Sequence, residues 1–320
     1  MTIPEIIESA NGAKGFSIEV LPPMKGRGIA GLFDNIDSLM EMKPRYINIT
    51  THRSELVYRS TSDGLYQKVS VRSRPGTVAV AAAIQQRYDI PAVPHLLCSG
   101  YTRLETEYAL IDLNFLGINN LLILRGDKAR HENRFIPSEG GHAHASDLQR
   151  QVNEFNQGLF IDGSTMDNDD RRIKFDYGVA GYPEKHDEAP NSDIDLQWLK
   201  YKVDMGASYI VTQMFFDNEK YFSFVERCRQ AGINVPIIPG IKPIVNRNQL
   251  TVLPKVFHVD LPSELANELT QCKDDAAAKQ VGVEWLIHQL KDLYSKGVDS
   301  VHIYSLNAFP SVYKALSEVL

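Results

Sequence analysis

One carboxylate lies inside an otherwise apolar run of the sequence. In FSIEV, period-two alternation with Phe16, Ile18 and Val20 directs Glu19 inward together with Ser17. A carboxylate is rarely buried without a task or a partner. Apolar surroundings raise the pKa of a carboxyl group, and a raised pKa suits a general acid near neutral pH. A buried ion pair between Glu19 and a lysine or arginine is the structural alternative.

Further polar groups directly follow other apolar runs. The tripeptide Arg125-Gly126-Asp127 comes after LLIL, where glycine lets a ligand approach the backbone and Asp127 sets the charge. Gln213 lies next to apolar residues, and a buried amide offers donors and an acceptor to the edge of a heterocycle. A structural amide bonded to the backbone is the alternative for Gln213.

Histidines follow two of the runs and form one close pair. His95 and His186 each come after a different run, and either could be a packed residue or a functional one. His142 and His144 have a spacing that could ligate a metal. Because no third ligand is near, we interpret this pair as part of a loop.

The elements that must position these groups alternate regularly. Seven short apolar runs each end in a polar cluster, and an eighth, VPIIPGIKP, is interrupted by prolines. Such runs are typical of parallel strands buried on both faces, and helical patterns fill the gaps between them. The sequence therefore predicts an α/β fold, a (β/α)₈ TIM barrel in a single domain over 1–320, with the active site at the carboxyl ends of the strands. At those ends lie Glu19, Thr50, His95, Arg125, Asp127, Tyr182, His186, Gln213 and Asn307.

Two segments depart from the alternation. A polar loop is expected through His52 and Ser62. A long insertion at about 128–176 follows the fourth strand and contains one expected helix, Asp147 to Phe155. Loops of this length are functional or disordered, so a lid and a solvated insertion are both open.

Two motifs are set aside. The glycines from Gly26 to Gly31 match G-x-G-x-x-G, but five residues separate them from the strand, and no carboxylate ends the next strand to hold a ribose. We therefore interpret them as a loop. Lys242 is the nearest candidate for a Schiff-base lysine, but prolines flank it closely. What remains is one acid, one aspartate, amides and hydroxyls, a set suited to holding a cofactor and supplying protons.

The bulk properties narrow the class of protein. The formal net charge of −6 over 320 residues argues against nucleic acid as the main partner. The three cysteines are far apart and form no disulfide framework. Since no signal pattern and no membrane-length apolar run occurs, a cytoplasmic protein is expected.

The set of motifs resembles the methylenetetrahydrofolate reductase family. The matching segments are FSIEVLPP, VPHLLC, LLILRGD, VAGYPEKH, TQMFFD, IIPGIKPI and VHIYSLN. The resemblance implies a barrel that binds FAD without a Rossmann domain. It implies that NADH or NADPH reduces FAD and leaves, and that methylenetetrahydrofolate then binds and is reduced to methyltetrahydrofolate. Another FAD barrel, such as a proline-dehydrogenase-like oxidase, and a non-catalytic flavin- or folate-binding protein are the alternatives.

The resemblance also implies roles for particular residues. Glu19 matches the acid that helps open the one-carbon bridge, Asp127 the aspartate beside flavin and folate, and Gln213 the amide that contacts the pterin. Thr50 and Thr51 match contacts to FAD or the nicotinamide nucleotide. Further FAD contacts are implied for His95, Arg125, Gly126, Ala145, Tyr182, His186, Asp195 and Lys202.

Departures from the family pattern are few. Ala308 stands where the family often has an arginine that contacts the folate tail, His144 replaces a tyrosine, and Leu253 aligns by spacing with an aromatic. A homo-oligomer, a preference for NADH and the absence of a regulatory domain are further expectations from the resemblance.

Overall fold

The computed structural model describes residues 1–128, 132–166, 174–306 and 308–320. In chain order the described helices α1 to α11 span Ile3–Ser9, Ala30–Met40, Thr77–Tyr88, Arg103–Phe115, Ala145–Asn156, Ser192–Asp204, Asn218–Gln230, Gln249–Phe257, Ser263–Gln271, Asp275–Ser295 and Phe309–Leu316. The described strands β1 to β11 span Gly15–Val20, Ile47–Ile49, Glu55–Ser60, Tyr66–Val71, Ala92–Leu97, Asn120–Leu124, Asp176–Gly181, Tyr209–Thr212, Ile237–Ile238, Gly240–Ile241 and Ser300–Ile303.

Parallel strands and helices alternate along the chain. This order confirms the predicted fold class, an α/β barrel of the (β/α)₈ type. The run that prolines interrupt forms β9 and β10 on either side of Pro239, as its sequence indicated. The single-domain organisation stays a prediction.

The chain divides into two compact units. The first contains Met1–Val20, Phe33–Asn48 and Asp176–Leu320, and the second contains Leu21–Leu32 and Ile49–Phe175.

In the first unit, the strands pair in parallel. Strand β11 lies between β10 and β1, with Ser17 of β1 opposite His302 of β11. Strand β8 lies between β7 and β9. All six residues of β1 are buried, as expected for a strand covered on both faces.

In the second unit, β5 pairs in parallel with β6, and His95 lies opposite Leu122. Helix α4 begins with a capping box: the Glu105 N–H donates to Thr102 Oγ1 at 3.1 Å, and the Thr102 N–H donates to Glu105 Oε2 at 2.8 Å. The glycine-rich segment before α2 is a loop with a turn at Gly26, which agrees with setting the dinucleotide motif aside.

One expected loop is not a loop. The prediction of a polar loop through His52 and Ser62 is wrong for Glu55–Val71, because β3 and β4 pair there as an antiparallel hairpin. The Thr61 N–H donates to Leu65 O at 2.8 Å and closes its turn. The cross-strand backbone bonds stabilise this segment although its composition is polar. Helices α1 and α8 were also not predicted.

In the insertion at about 128–176, the expected helix is confirmed as α5, and an isolated bridge joins Leu159 to Thr165. The charged residues at 167–173 lie outside the described residues.

Helix α10 packs so closely against the backbone of Ile244 that only a glycine fits at position 282. A Cβ at Gly282 would lie 2.0 Å from the Ile244 carbonyl oxygen, whereas a Cβ at Gly31 of α2 would meet no atom within 4 Å. We expect Gly282→Ala to lower the free energy of unfolding by about 1–3 kcal/mol through overpacking. Gly31→Ala is the matched control and should leave stability unchanged or raise it by up to about 1 kcal/mol. Urea denaturation of both variants tests this, and equal stabilities would contradict the close contact.

Candidate active site

The Glu19 side chain is buried in the first unit, as the alternation predicted. The residue is 7% exposed, and its Oε2 lies 3.7 Å from Nε2 of the fully buried His302. On the other side of the imidazole, Nδ1 lies 2.9 Å from the Ser17 hydroxyl oxygen. The parallel register of β1 and β11 places both contacts, since Ser17 is directly opposite His302. The hydroxyl of Ser17, the imidazole of His302 and the carboxyl group of Glu19 thus lie next to one another between β1 and β11.

Tyr304 extends this group of polar side chains. Its ring meets His302 edge-on with centroids 4.9 Å apart, and its hydroxyl donates to the Thr212 carbonyl oxygen at 2.7 Å. Burial raises the pKa of Tyr304 well above its usual value, and the negative charge of Glu19 raises it further. Tyr304 therefore stays a neutral phenol beside the carboxyl group.

Lys242 follows β10 and is 8% exposed. Burial lowers the pKa of Lys242, and the charge of Glu19 opposes that shift. The ammonium group therefore lies within electrostatic range of the Glu19 carboxylate, although no ion pair between the two is recorded among the described residues. The site combines a carboxyl group, an imidazole, a phenol and an amine, all in the first unit.

Gln213 lies at the end of β8 and is half-buried. Its backbone N–H donates to the Gly181 carbonyl oxygen at 2.8 Å, and its side-chain Oε1 accepts the Met214 N–H at 2.9 Å. The oxygen of this amide is thus bonded to the backbone, which is the structural alternative that the sequence allows for Gln213. The Nε2 group remains as the donor with which Gln213 can contact a ligand.

A second polar group of the first unit lies between β7 and α6. The rings of Tyr182 and His186 meet edge-on with centroids 4.8 Å apart. The backbone N–H of His186 donates to Asp195 Oδ2 at 3.0 Å. Lys202, seven residues after Asp195 on α6, donates to the Ala180 carbonyl oxygen at 2.9 Å. Tyr182, Asp195 and Lys202 line one small pocket.

The types of these side chains suit the parts of a nucleotide. A lysine suits a phosphate, a carboxylate suits ribose hydroxyls, and an aromatic ring suits a planar base. Burial lowers the pKa of Lys202 to about 8, and a bound phosphate would restore the charged form. The donors and acceptors present therefore match the phosphate and ribose of FAD.

The remaining predicted residues lie in the second unit. The Thr51 hydroxyl donates to the His95 carbonyl oxygen at 2.6 Å, and His95 is 3% exposed. Thr77 and His95 line a groove of about 1580 Å³ that is open to solvent. Thr50 directly precedes Thr51, and Ala145 is the first residue of α5.

Gly126 is required by the backbone of the Arg125-Gly126-Asp127 tripeptide. Its φ is +80°, and a Cβ would lie 2.8 Å from the Ser99 Cβ. The Ser99 hydroxyl donates to the Asp127 carbonyl oxygen at 3.0 Å, and the Arg125 guanidinium lies 4.9 Å from the Phe135 ring centroid. Ser99 therefore fixes the backbone turn, while the Asp127 side chain is exposed.

The predicted residues thus divide between the units. The first unit contains Glu19, Tyr182, His186, Asp195, Lys202 and Gln213, and the second contains Thr50, Thr51, His95, Arg125, Gly126, Asp127 and Ala145. The convergence of Asp127 with Glu19 and Gln213 stays a prediction. Asn307 lies outside the described residues.

Other positions singled out in the sequence have structural surroundings. Leu253 is 2% exposed and packs in a hydrophobic cluster with Met214 and Phe216, so it offers no surface to a ligand. His142 Nε2 lies 2.6 Å from Gln151 Oε1, and Ala308 is buried at the start of α11.

Sequence reasoning missed His302 and Tyr304. The signal was available, because the alternation that directs Glu19 inward also directs His302 and Tyr304 to one face of VHIY. What the sequence did not contain was the register that brings this strand beside β1.

Within residues 1–128, 132–166, 174–306 and 308–320, no cluster of three or more His, Cys, Asp or Glu side chains has the arrangement of a metal site. Likewise, none of the helices described has the length and apolar character required to traverse a bilayer.

The alternating parallel strands and the polar groups at their carboxyl ends define an α/β barrel of the class that carries its active site there. The chain belongs to the methylenetetrahydrofolate reductase family, since the family model described as Methylenetetrahydrofolate reductase matches residues 3–319.

Curated relatives agree with this assignment. Methylenetetrahydrofolate reductase (NADH) 1 of Arabidopsis thaliana is 33% identical over 306 residues, which cover 92% of this chain and 46% of the relative. The 5,10-methylenetetrahydrofolate reductase of Escherichia coli K12 is 32% identical over 304 residues, which cover 94% of this chain and 89% of the relative. The chain thus spans about half the length of the plant relatives.

An uncharacterized protein from Clostridium thermocellum, described as binding two copies of 5-methyl-5,6,7,8-tetrahydrofolic acid, shares the fold. Its TM-score is 0.57 at 13% identity, and the match covers 98% of both chains.

The buried Lys202 gives a pH-dependent stability. Its pKa is about 8 in the folded protein and 10.5 when unperturbed, so between these values the unfolded state binds more protons, and the free energy of unfolding rises with pH. Lys202→Met removes the buried charge. In the flavin-free protein we expect the variant to be more stable at pH 7 by about 1–3 kcal/mol, with the difference shrinking as pH rises from 8 towards 10.

Urea denaturation between pH 7 and 10 measures this difference. Lys200→Met, which removes an ion pair with Asp204 on the same helix, is the control and should show no such trend. If Lys202→Met were less stable than the wild type, and by the same amount at pH 7 and at pH 10, the charge of Lys202 would not destabilise the folded protein.

Proposed function

We propose that the protein reduces 5,10-methylenetetrahydrofolate to 5-methyltetrahydrofolate, with NADH or NADPH as the hydride source and FAD as the cofactor. The observation that carries this proposal is the buried Glu19 carboxyl group beside His302 and Tyr304. Membership of the reductase family supports it, as does the bacterial relative, of which the match covers 89%. The similar fold that is described as binding 5-methyltetrahydrofolate agrees with a folate ligand.

We assign the binding of FAD to residues of the first unit. Lys202 would bind its phosphates and Asp195 its ribose hydroxyls, while Tyr182 and His186, whose rings meet edge-on, are further proposed contacts. Bound FAD supplies the transfer of hydride from the nicotinamide nucleotide to the folate. His95, Arg125, Gly126, Ala145, Thr50 and Thr51 are further proposed contacts of FAD or of the nucleotide.

Glu19 has the role of an acid. The one-carbon bridge of the substrate joins two nitrogens, and it opens to an iminium when the leaving nitrogen receives a proton. A protonated Glu19 carboxyl group can donate that proton, because its burial favours the neutral form. The positive charge of Lys242 instead favours the ionised carboxylate of Glu19. The imidazole of His302 holds the carboxyl group in position.

Two further side chains are proposed to contact the substrate. Gln213 Nε2 can donate to an acceptor on the pterin edge, since its oxygen is already bonded to the backbone. The carboxylate of Asp127 would favour the cationic iminium by its charge. A preference for NADH, a cytoplasmic location and self-association stay predictions.

A spectrum of the purified protein tests the function directly. The protein should be yellow, lose its flavin absorbance under anaerobic NADH or NADPH, and regain it when methylenetetrahydrofolate is added. Reoxidation by other acceptors but not by the folate would indicate a different flavin enzyme. A protein whose flavin is not bleached by either nucleotide would indicate a non-catalytic binding protein.

Glu19→Gln tests the acid. Because an amide cannot donate the required proton, we expect the folate half-reaction to slow on the order of 10²- to 10⁴-fold, while reduction of the flavin by NADH is preserved. Anaerobic stopped-flow absorbance measures the two half-reactions separately.

Glu107→Gln is a matched control. Glu107 is also 7% exposed, and its carboxylate oxygen accepts the Ile161 N–H at 2.7 Å. This variant should keep both half-reactions. Normal folate reduction by Glu19→Gln would show that the acid is another group.

A further inference from the structure

Lys242 is a buried cation that the reaction described above does not use. The residue is more than nine-tenths buried, and within the described part of the chain no hydrogen bond or ion pair of its ammonium group is recorded. Burying an ammonium group without partners costs free energy. Such a group is retained where a ligand supplies the missing acceptor.

Strand register places Lys242 in the same layer as Glu19. Ile241 of β10 and Ile18 of β1 both pair with Ile303 of β11. The residues that directly follow Ile241, Ile18 and Ile303 are Lys242, Glu19 and Tyr304. Since side chains alternate along a strand, these three share the face on which His302 meets Ser17.

Tyr304 therefore stands between the two charges. Its hydroxyl is committed to the Thr212 carbonyl oxygen, so it does not bridge the carboxylate and the ammonium group. Prolines at 239 and 243 flank the lysine and restrict the backbone that carries it. The backbone at Lys242 is thus restricted on the face that carries Glu19, and the ammonium group has hydrogen-bond donors to offer.

We propose that Lys242 is a substrate-binding residue of the Glu19 site, whose ammonium group donates a hydrogen bond to an acceptor oxygen or nitrogen of the pterin ring. This role rests on the proposed function. It differs from that of Gln213, because a charged donor also stabilises the ionised form of Glu19.

The direction of the electrostatic effect follows from the groups around Glu19. These are the Lys242 ammonium group, the His302 imidazole at 3.7 Å and the Tyr304 phenol, with Tyr182 also acting on Tyr304. Among these described groups, Lys242 contributes the positive charge that acts on Glu19. Removing it therefore raises the pKa of Glu19 and extends the protonated form to higher pH.

Lys242→Met keeps an unbranched side chain one atom shorter and removes both the donors and the charge. We expect 5-methyltetrahydrofolate to bind the oxidised protein roughly 10- to 100-fold more weakly, as measured by the change in flavin absorbance. The falling limb of the pH profile of the folate half-reaction should move to higher pH. Reduction by NADH should stay within about twofold of the wild-type rate, since the lysine acts on the folate.

Lys242→Gln separates the donor from the charge. It should move the falling limb of the pH profile as Lys242→Met does, yet keep part of the folate affinity. It takes the place of the methionine variant if that protein does not fold. Lys255→Met, at an exposed lysine of α8, is the control and should change neither quantity.

The outcomes are distinguishable. If wild-type protein is not reoxidised by methylenetetrahydrofolate, the proposed function fails. If wild-type protein is reoxidised but Lys242→Met, or Lys242→Gln in its place, shows unchanged folate affinity and an unmoved pH limb, the role of Lys242 is overturned.

Discussion

The burial of a carboxyl group against a fully buried imidazole is the constraint on which the site depends. Glu19 and His302 are 3.7 Å apart because β1 and β11 pair in parallel with Ser17 opposite His302. A shift of that register by one residue would turn each side chain to the other face of its strand. The strand pairing that forms the core is therefore also what positions the carboxyl group that we propose as the acid.

The first unit combines two kinds of chemistry. Around Glu19, neutral and charged donors lie close together in a desolvated layer, an environment that tunes proton transfer. Around Lys202 and Asp195, a lysine and a carboxylate line a small pocket, where we propose that phosphate and ribose bind. The proposed reaction transfers both a hydride and a proton, so it would use both groups.

The apolar runs and their polar ends predicted the strands well, because a strand buried on both faces has a strong local pattern. Glu19 was found for the same reason. The hairpin of β3 and β4 was missed because its stability comes from cross-strand backbone bonds and not from an apolar pattern. His302 and Lys242 were not assigned to the site because their roles depend on register, and register joins residues more than 200 positions apart. The family resemblance supplied Asp195 and Lys202, which no local pattern marks as ligands.

A crystal structure of the oxidised protein with bound 5-methyltetrahydrofolate tests the central claim most directly. We expect the Glu19 carboxyl group within hydrogen-bonding distance of the nitrogen that leaves the one-carbon bridge, with the His302 imidazole still beside it. A folate bound with its pterin and bridge nitrogens far from Glu19, or a Glu19 side chain sealed from the ligand by apolar residues, would contradict the assignment of this carboxyl group as the acid.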